Sequence, residues 1–117
     1  VRKAIPLVAI DTPLKEVIIE ISSKRLGAAA VVHADQTLIG IITDGDLRRM
    51  LQKGIQMDSS TAGDILTKNP KTIDAGELAV KALQIMQQNS ITQLVVLNEK
   101  KVVGLIHLHD LLKEGIV

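Results

Sequence analysis

Two stretches of this sequence set chemically capable side chains at the same spacing: Gly40-Ile-Ile-Thr-Asp-Gly-Asp46 and Gly104-Leu-Ile-His-Leu-His-Asp110. Each reads as a strand end running into a helix start, where unpaired backbone N–H groups can hold an anion. In the first stretch Thr43 supplies a hydroxyl, and Asp46 a carboxylate three residues later on the same side. Hydroxyl and N–H groups suit a phosphate oxygen, and a carboxylate suits paired sugar hydroxyls. Together they describe recognition of a phosphorylated ribose. Thr-x-x-Asp is also the spacing of a helix capping box, and spacing alone leaves both readings open. Gly40 gives room for a backbone or a ligand to come close. Arg48 and Arg49 follow the motif, where one of them can reach a phosphate or carboxylate bidentately or simply sit on a solvated helix face.

The second stretch keeps Asp110 but carries His107 at the place of the hydroxyl. His107 and His109 are two apart, so on a strand end they point the same way. With Asp110 they could hold a metal or meet a phosphate. No fourth ligand is evident and His33 falls in a turn, so a solvated, hydrogen-bonded pair is the expectation, with no metal site. Asp44 and Asp46 are close enough to act as paired carboxylates, yet acids are favoured at a helix start by its dipole. No Gly-x-Ser-x-Gly elbow and no Gly-x-x-x-x-Gly-Lys phosphate loop occurs. No catalytic residue is assigned.

The elements that must position these groups occur twice. Ile10-Asp-Thr-Pro13, an apolar-periodic segment, Gly27-Ala-Ala-Ala-Val-Val32 and Leu38 to Leu47 correspond to Ile73-Asp-Ala-Gly76, a second periodic segment, Thr92-Gln-Leu-Val-Val-Leu97 and Val102 to Leu111. The copies lie about 64 residues apart, too long for a solenoid unit. Leu14, Val17, Ile18 and Ile21 give one helix an apolar face, capped by Asp11 or Thr12. Leu78, Ala82, Leu83 and Met86 do the same in the second copy. The Ala-rich run and Leu94–Leu97 read as strands covered on both faces. The expected fold is α/β (α+β), with each copy a small sheet with flanking helices and the two packed as a pseudo-twofold pair. Residues 1–52 form the first copy and 72–117 the second. Residues 53–71 form a linker whose short helix, capped by Ser60 or Thr61, belongs to the second copy.

Composition narrows the function. Cysteine and aromatic residues are absent, which excludes disulfides, thiolate chemistry and stacking platforms for single-stranded nucleic acid. A net charge of +1 with no basic cluster argues against nucleic-acid partners and membrane surfaces. No apolar run approaches a membrane span. Val1 opens the chain in place of Met, and the expectation is a cytoplasmic domain of a longer protein.

The tandem copies, each with an apolar helix, a Val-Val strand, a hairpin and Gly followed three residues later by Thr43 or His107, resemble a pair of CBS domains over nearly the whole chain. More narrowly, Ile42-Thr-Asp-Gly-Asp-Leu-Arg-Arg49 and His109-Asp-Leu-Leu112 resemble the regulatory CBS pair of D-arabinose 5-phosphate isomerases, which act in Kdo and lipopolysaccharide synthesis. The resemblance implies that Thr43 meets phosphate and Asp46 ribose, with Asp110 and the His107 departure at a second, altered site. It places Ala28, Ala29 and Ala30, with Ala9 and Ile10, beside the base, although three alanines suit tight sheet packing equally well. The ligands it implies are CMP-Kdo or an adenine nucleotide (AMP or ATP), with no required cofactor. The partners are an upstream sugar-isomerase (SIS) domain that carries the catalysis, and a second copy in a homodimer. A ligand-free scaffolding module is the alternative.

Overall fold

The computed structural model describes residues 5–24, 27–54 and 56–113. The first copy runs β1 (Leu7–Val8), α1 (Leu14–Lys24), β2 (Ala28–Val32), β3 (Leu38–Thr43) and α2 (Asp44–Gln52). A connecting segment carries a 3-10 turn (Met57–Ser59), α3 (Ala62–Ile65) and β4 (Thr67–Lys68). The second copy runs β5 (Thr72–Asp74), α4 (Ala79–Asn89), β6 (Gln93–Asn98), β7 (Lys101–His107) and α5 (Leu108–Lys113). Two small sheets result, ordered β1-β2-β3-β4 and β5-β6-β7. In each, the first strand lies parallel to the second and the second antiparallel to the third. The mixed α/β architecture in two similar halves is the one expected.

The Ala-rich strand shows why its run is uninterrupted. Alternate side chains of β2 go to opposite faces. Ala29 and Val31 join Leu14, Val17, Ile21 and Ile42 in a core under α1. Ala28, Ala30 and Val32 join Ile41, Val95 and Val102 in a core shared by the two copies. A third core gathers Ile73, Ala82, Leu83, Met86, Leu94 and Leu111. The two sheets approach closely where the alanines are, so side-chain volume there is limited. Ala30→Leu is expected to overpack the shared core and cost about 1–3 kcal/mol, read as a lower denaturant midpoint at unchanged slope. Wild-type stability would show that the sheets can part freely at Ala30.

Both hairpins carry a bulge at the same place, between Val31 and Val32 and between Val96 and Leu97. The hairpins also meet: Thr37 bridges Lys101, and the Val102 N–H donates to the Gln36 carbonyl at 3.0 Å. Within the first turn the Asp35 carboxylate accepts from the Thr37 hydroxyl at 2.7 Å and its N–H at 3.1 Å. These bonds hold the Asp35 carboxyl below the usual carboxylate range. A carboxyl lowered in the fold stabilises at neutral pH, and that contribution is lost as pH falls through the lowered value.

Two local expectations need correction. Thr12 does not cap α1. Its hydroxyl accepts from the Ala9 N–H at 2.9 Å, and the Leu14 N–H at the helix start goes to the Ser60 carbonyl at 3.0 Å. Leu78 is 75% exposed because it sits at the N-cap of α4, ahead of the apolar face. The short helix α3 packs on the first copy: Ala62 fills the core under α1 with Ile65 and Leu66 against it, and β4 extends the first sheet alongside β3. Thr61 is its cap, with the Thr61 N–H donating to Asp64 at 2.8 Å.

Candidate functional site: a cleft between the two repeats

Strand β3 ends on Thr43, whose extended backbone makes it the N-cap of α2. The Asp46 N–H donates to Thr43 Oγ1 at 3.2 Å, and the Thr43 N–H donates to Asp46 Oδ2 at 2.9 Å. The capping box is therefore formed. The Arg49 guanidinium donates to Asp46 Oδ1 at 2.5 Å, and the Thr67 hydroxyl from β4 donates to the same oxygen at 3.4 Å. The Asp46 side chain is only 9% exposed while that of Arg49 is 61% exposed. Capping fixes these groups in place without hiding them, since both Thr43 and Asp46 line a cleft of about 310 Å³.

That volume falls in the range of small-molecule sites. The first repeat contributes Ile41, Thr43, Asp46 and Arg49, and the second contributes Ile91 and Gln93. The segment between them contributes Thr67, Asn69, Pro70 and Lys71. Two cations, Arg49 and Lys71, face one carboxylate, so the cleft suits an anion that also offers hydroxyls. Ile41, Pro70 and Ile91 supply apolar wall for a flat group. Gln93 ties the halves together, its Nε2 donating to the Gly27 carbonyl at 3.4 Å. Gly27 has φ +73°, where an L side chain is strained, and a Cβ there would lie 2.8 Å from that same Nε2 and displace the Gln93 side chain.

The other expected site residues lie elsewhere. Ala28, Ala29 and Ala30 are fully buried in the cores and do not reach the cleft lining. Ile10 is half exposed beside α3, its carbonyl accepting from the Gly63 N–H at 2.8 Å. Ala9 lines a different hollow near α1. Arg48 is exposed and outside the lining, and Arg49 takes the place assigned to it. His107 and His109 stack with ring centroids 5.0 Å apart, and the His109 N–H donates to His107 Nδ1 at 3.0 Å. His107 thus caps α5 with a ring nitrogen where the first copy uses a hydroxyl, with Asp110 in the first turn. The two helix starts match in space: the Asp44 N–H donates to the Gly27 carbonyl at 2.9 Å and the Leu108 N–H to the Thr92 carbonyl at 2.7 Å. Among the described residues, no group of three or more His, Asp or Glu side chains gathers to hold a metal.

Sequence reasoning missed Thr67, Asn69, Pro70, Lys71, Ile91 and Gln93. The first four sit in a segment that reads as a linker, and nothing in its pattern shows that β4 pairs with β3. Gln93 had a signal: it aligns with Ala28, at the start of a strand that opposes the second motif.

Tandem sheet-and-helix modules enclosing a shared small-molecule cleft define the class. A family model described as CBS domain matches residues 1–53 and again 62–116, and the chain belongs to that family as a tandem pair. It is similar to arabinose 5-phosphate isomerase KdsD of Pseudomonas aeruginosa, 39% identical over 118 residues, covering 100% of the chain and 36% of the enzyme. With KdsD of Yersinia pestis the identity is 35% over 113 residues, covering 97% of the chain and 34% of the enzyme. An uncharacterized protein of Rickettsia prowazekii is 45% identical over 112 residues, covering 96% and 34%. The chain thus spans about a third of the length of these relatives. Among solved structures, the CBS domain protein NE2398 superposes with TM-score 0.87 at 22% identity, covering 98% of this chain and 90% of that one. A CBS domain protein of Pyrobaculum aerophilum complexed with AMP gives 0.86 at 21%, covering 95% and 86%. These likenesses establish the fold.

Proposed function

We propose that this CBS pair is the regulatory part of a cytoplasmic D-arabinose 5-phosphate isomerase of the Kdo pathway, and that its cleft senses a nucleotide or nucleotide-sugar. The observation that carries the reading is the convergence of Thr43, Asp46, Arg49 and Lys71 on one cleft with walls from both repeats. The likeness to KdsD supports the isomerase assignment, and the AMP complex of a fold relative supports the ligand class. CMP-Kdo, as an end product, and AMP or ATP are the ligands proposed. Catalysis belongs to an upstream sugar-isomerase domain. A ligand spanning both repeats acts on it only through unequal affinity for two states of the enzyme. No helix among the described residues is long and apolar enough to cross a membrane.

A ligand at 100 times its dissociation constant adds about 2.7 kcal/mol. Dye-monitored melting should then shift by roughly ten degrees for a domain of this size. The expected result is a shift with CMP-Kdo or an adenine nucleotide, abolished by Arg49→Gln with Lys71→Gln. No shift with any of CMP-Kdo, CMP, AMP and ATP would remove the sensor reading.

A homodimer is the second part of the proposal. Ile19 on α1 and Val80 on α4 are 65% and 51% exposed, and association would cover such faces. Ile19→Glu is expected to give monomers by sedimentation. A wild-type chain that already sediments as a monomer would contradict it.

A further inference from the structure

The turn at Asn69–Pro70 borders two hollows. On one side is the cleft just described. On the other is a hollow of about 360 Å³, walled by Leu38 and Ile39 from the first hairpin and by Leu97 and Lys100 from the second. Among the described residues, none that line this second hollow is acidic, and Lys100 is its only charged group.

Lys100 is held there against local preference. Asn98 pairs with Lys101 across the β6–β7 hairpin, so Glu99 and Lys100 form a two-residue turn. Both have positive φ, 52° and 72°. A two-residue turn of this kind strongly prefers Asn-Gly, because L side chains crowd the backbone in the left-handed region. A glycine would fit better at either position. The chain instead carries a lysine whose side chain borders the hollow, and strained residues of this sort concentrate at ligand-holding sites.

We infer that the hollow beside Lys100 is a second anion subsite, so that the ligand is two-part: a nucleotide in the cleft bearing a further carboxylate or phosphate that reaches past Asn69–Pro70 to Lys100. The inference rests on the nucleotide reading of the cleft and goes beyond it by specifying the far end of the molecule. A second subsite selects a longer anion over its nucleoside monophosphate, since the cleft's own cations, Arg49 and Lys71, already serve the first phosphate.

The test is titration of the chain with CMP, CMP-Kdo, AMP and ATP. The wild type, Lys100→Gly and Glu99→Gly are compared, with melting measured alongside. The expected result is a gain of roughly tenfold, the scale of one charged hydrogen bond. CMP-Kdo gains it over CMP if the far group is a carboxylate, and ATP over AMP if it is a phosphate. Lys100→Gly should abolish the gain, leave CMP or AMP unchanged, and raise the melting temperature through relief of the turn. Glu99→Gly should raise the melting temperature in the same way and keep the gain. Stabilisation by Lys100→Gly with lost discrimination separates a ligand role from a folding role. If the monophosphates bind but neither longer probe gains, or the gain survives Lys100→Gly, the subsite is overturned and the cleft reading stands. If no probe binds at all, both fall together.

Discussion

Gly40→Ala is expected to destabilise the chain by about 2–3 kcal/mol, whereas Gly104→Ala, at the equivalent place in the second repeat, should be neutral or slightly stabilising. A Cβ at Gly40 would lie 2.5 Å from the Thr67 carbonyl oxygen and 2.9 Å from Leu66 Cδ1. The first obstacle is backbone, so relief requires β4 to move off β3 or the strand to distort, at the cost typical of overpacking. Among the described residues, a Cβ at Gly104 would meet only Val96, at 3.5 Å and 3.6 Å, which is ordinary contact. Glycine inside a strand forfeits roughly 0.5–1 kcal/mol relative to alanine, and that sets the sign for Gly104. The two motifs match in sequence, but among the described residues only the first has a fourth strand laid against it. Because Thr67 also lines the cleft, Gly40→Ala should weaken ligand binding as well. Denaturant unfolding of both variants decides the matter: equal effects would mean that β4 does not pair as described.

Asp46→Ala should remove ligand binding and also cost about 1–2 kcal/mol of stability. The carboxylate accepts from the Thr43 backbone, the Thr43 hydroxyl, Arg49 and Thr67, so its loss opens the cap of α2 at the usual cost of a cap deletion. Asp46→Asn divides the two roles. An amide oxygen still accepts from the Thr43 N–H, so most of the stability should remain. It lacks the charge and the second acceptor that paired hydroxyls need, and affinity should fall by roughly ten- to a hundredfold, the scale of charged hydrogen bonds. Calorimetry on the Asn variant reads the affinity and melting reads the cap. Wild-type affinity in a fully stable Asp46→Asn variant would confine Asp46 to capping.

The repeat, the buried strands and the motif helix were legible because each rests on local pattern. The run Ala28–Val32 reads as a strand covered twice, and Thr43 with Asp46 as a helix start. What spacing left open, cap or ligand contact, the fold answers in part: the box is closed, and the same two residues face a cleft. The alanines illustrate the opposite case. Small residues in a row are compatible with a ligand or with close sheets, and only the shared core containing Val95 and Val102 tells which. Lys71 and Thr67 were illegible because their place depends on pairing between β3 and β4, a long-range contact with no periodic trace. Arg49 was chosen over Arg48 by the turn of α2, which brings position 49 back over Asp46 at i+3. His107 reads as a lost hydroxyl, yet its ring nitrogen accepts the bond a hydroxyl would.

The central claim is that one cleft, built from Thr43, Asp46, Arg49 and Lys71, holds a nucleotide-type anion between the repeats. Calorimetric titration of the wild-type chain and of Arg49→Gln with Lys71→Gln against CMP-Kdo and AMP addresses it directly. Both cations are exposed, and the capping box between Thr43 and Asp46 uses neither of them, so the variant should fold normally. The account predicts saturable binding of one ligand by the wild type and a loss of at least tenfold in the variant. Binding that is unchanged when both cations are gone would place the ligand elsewhere and contradict the account.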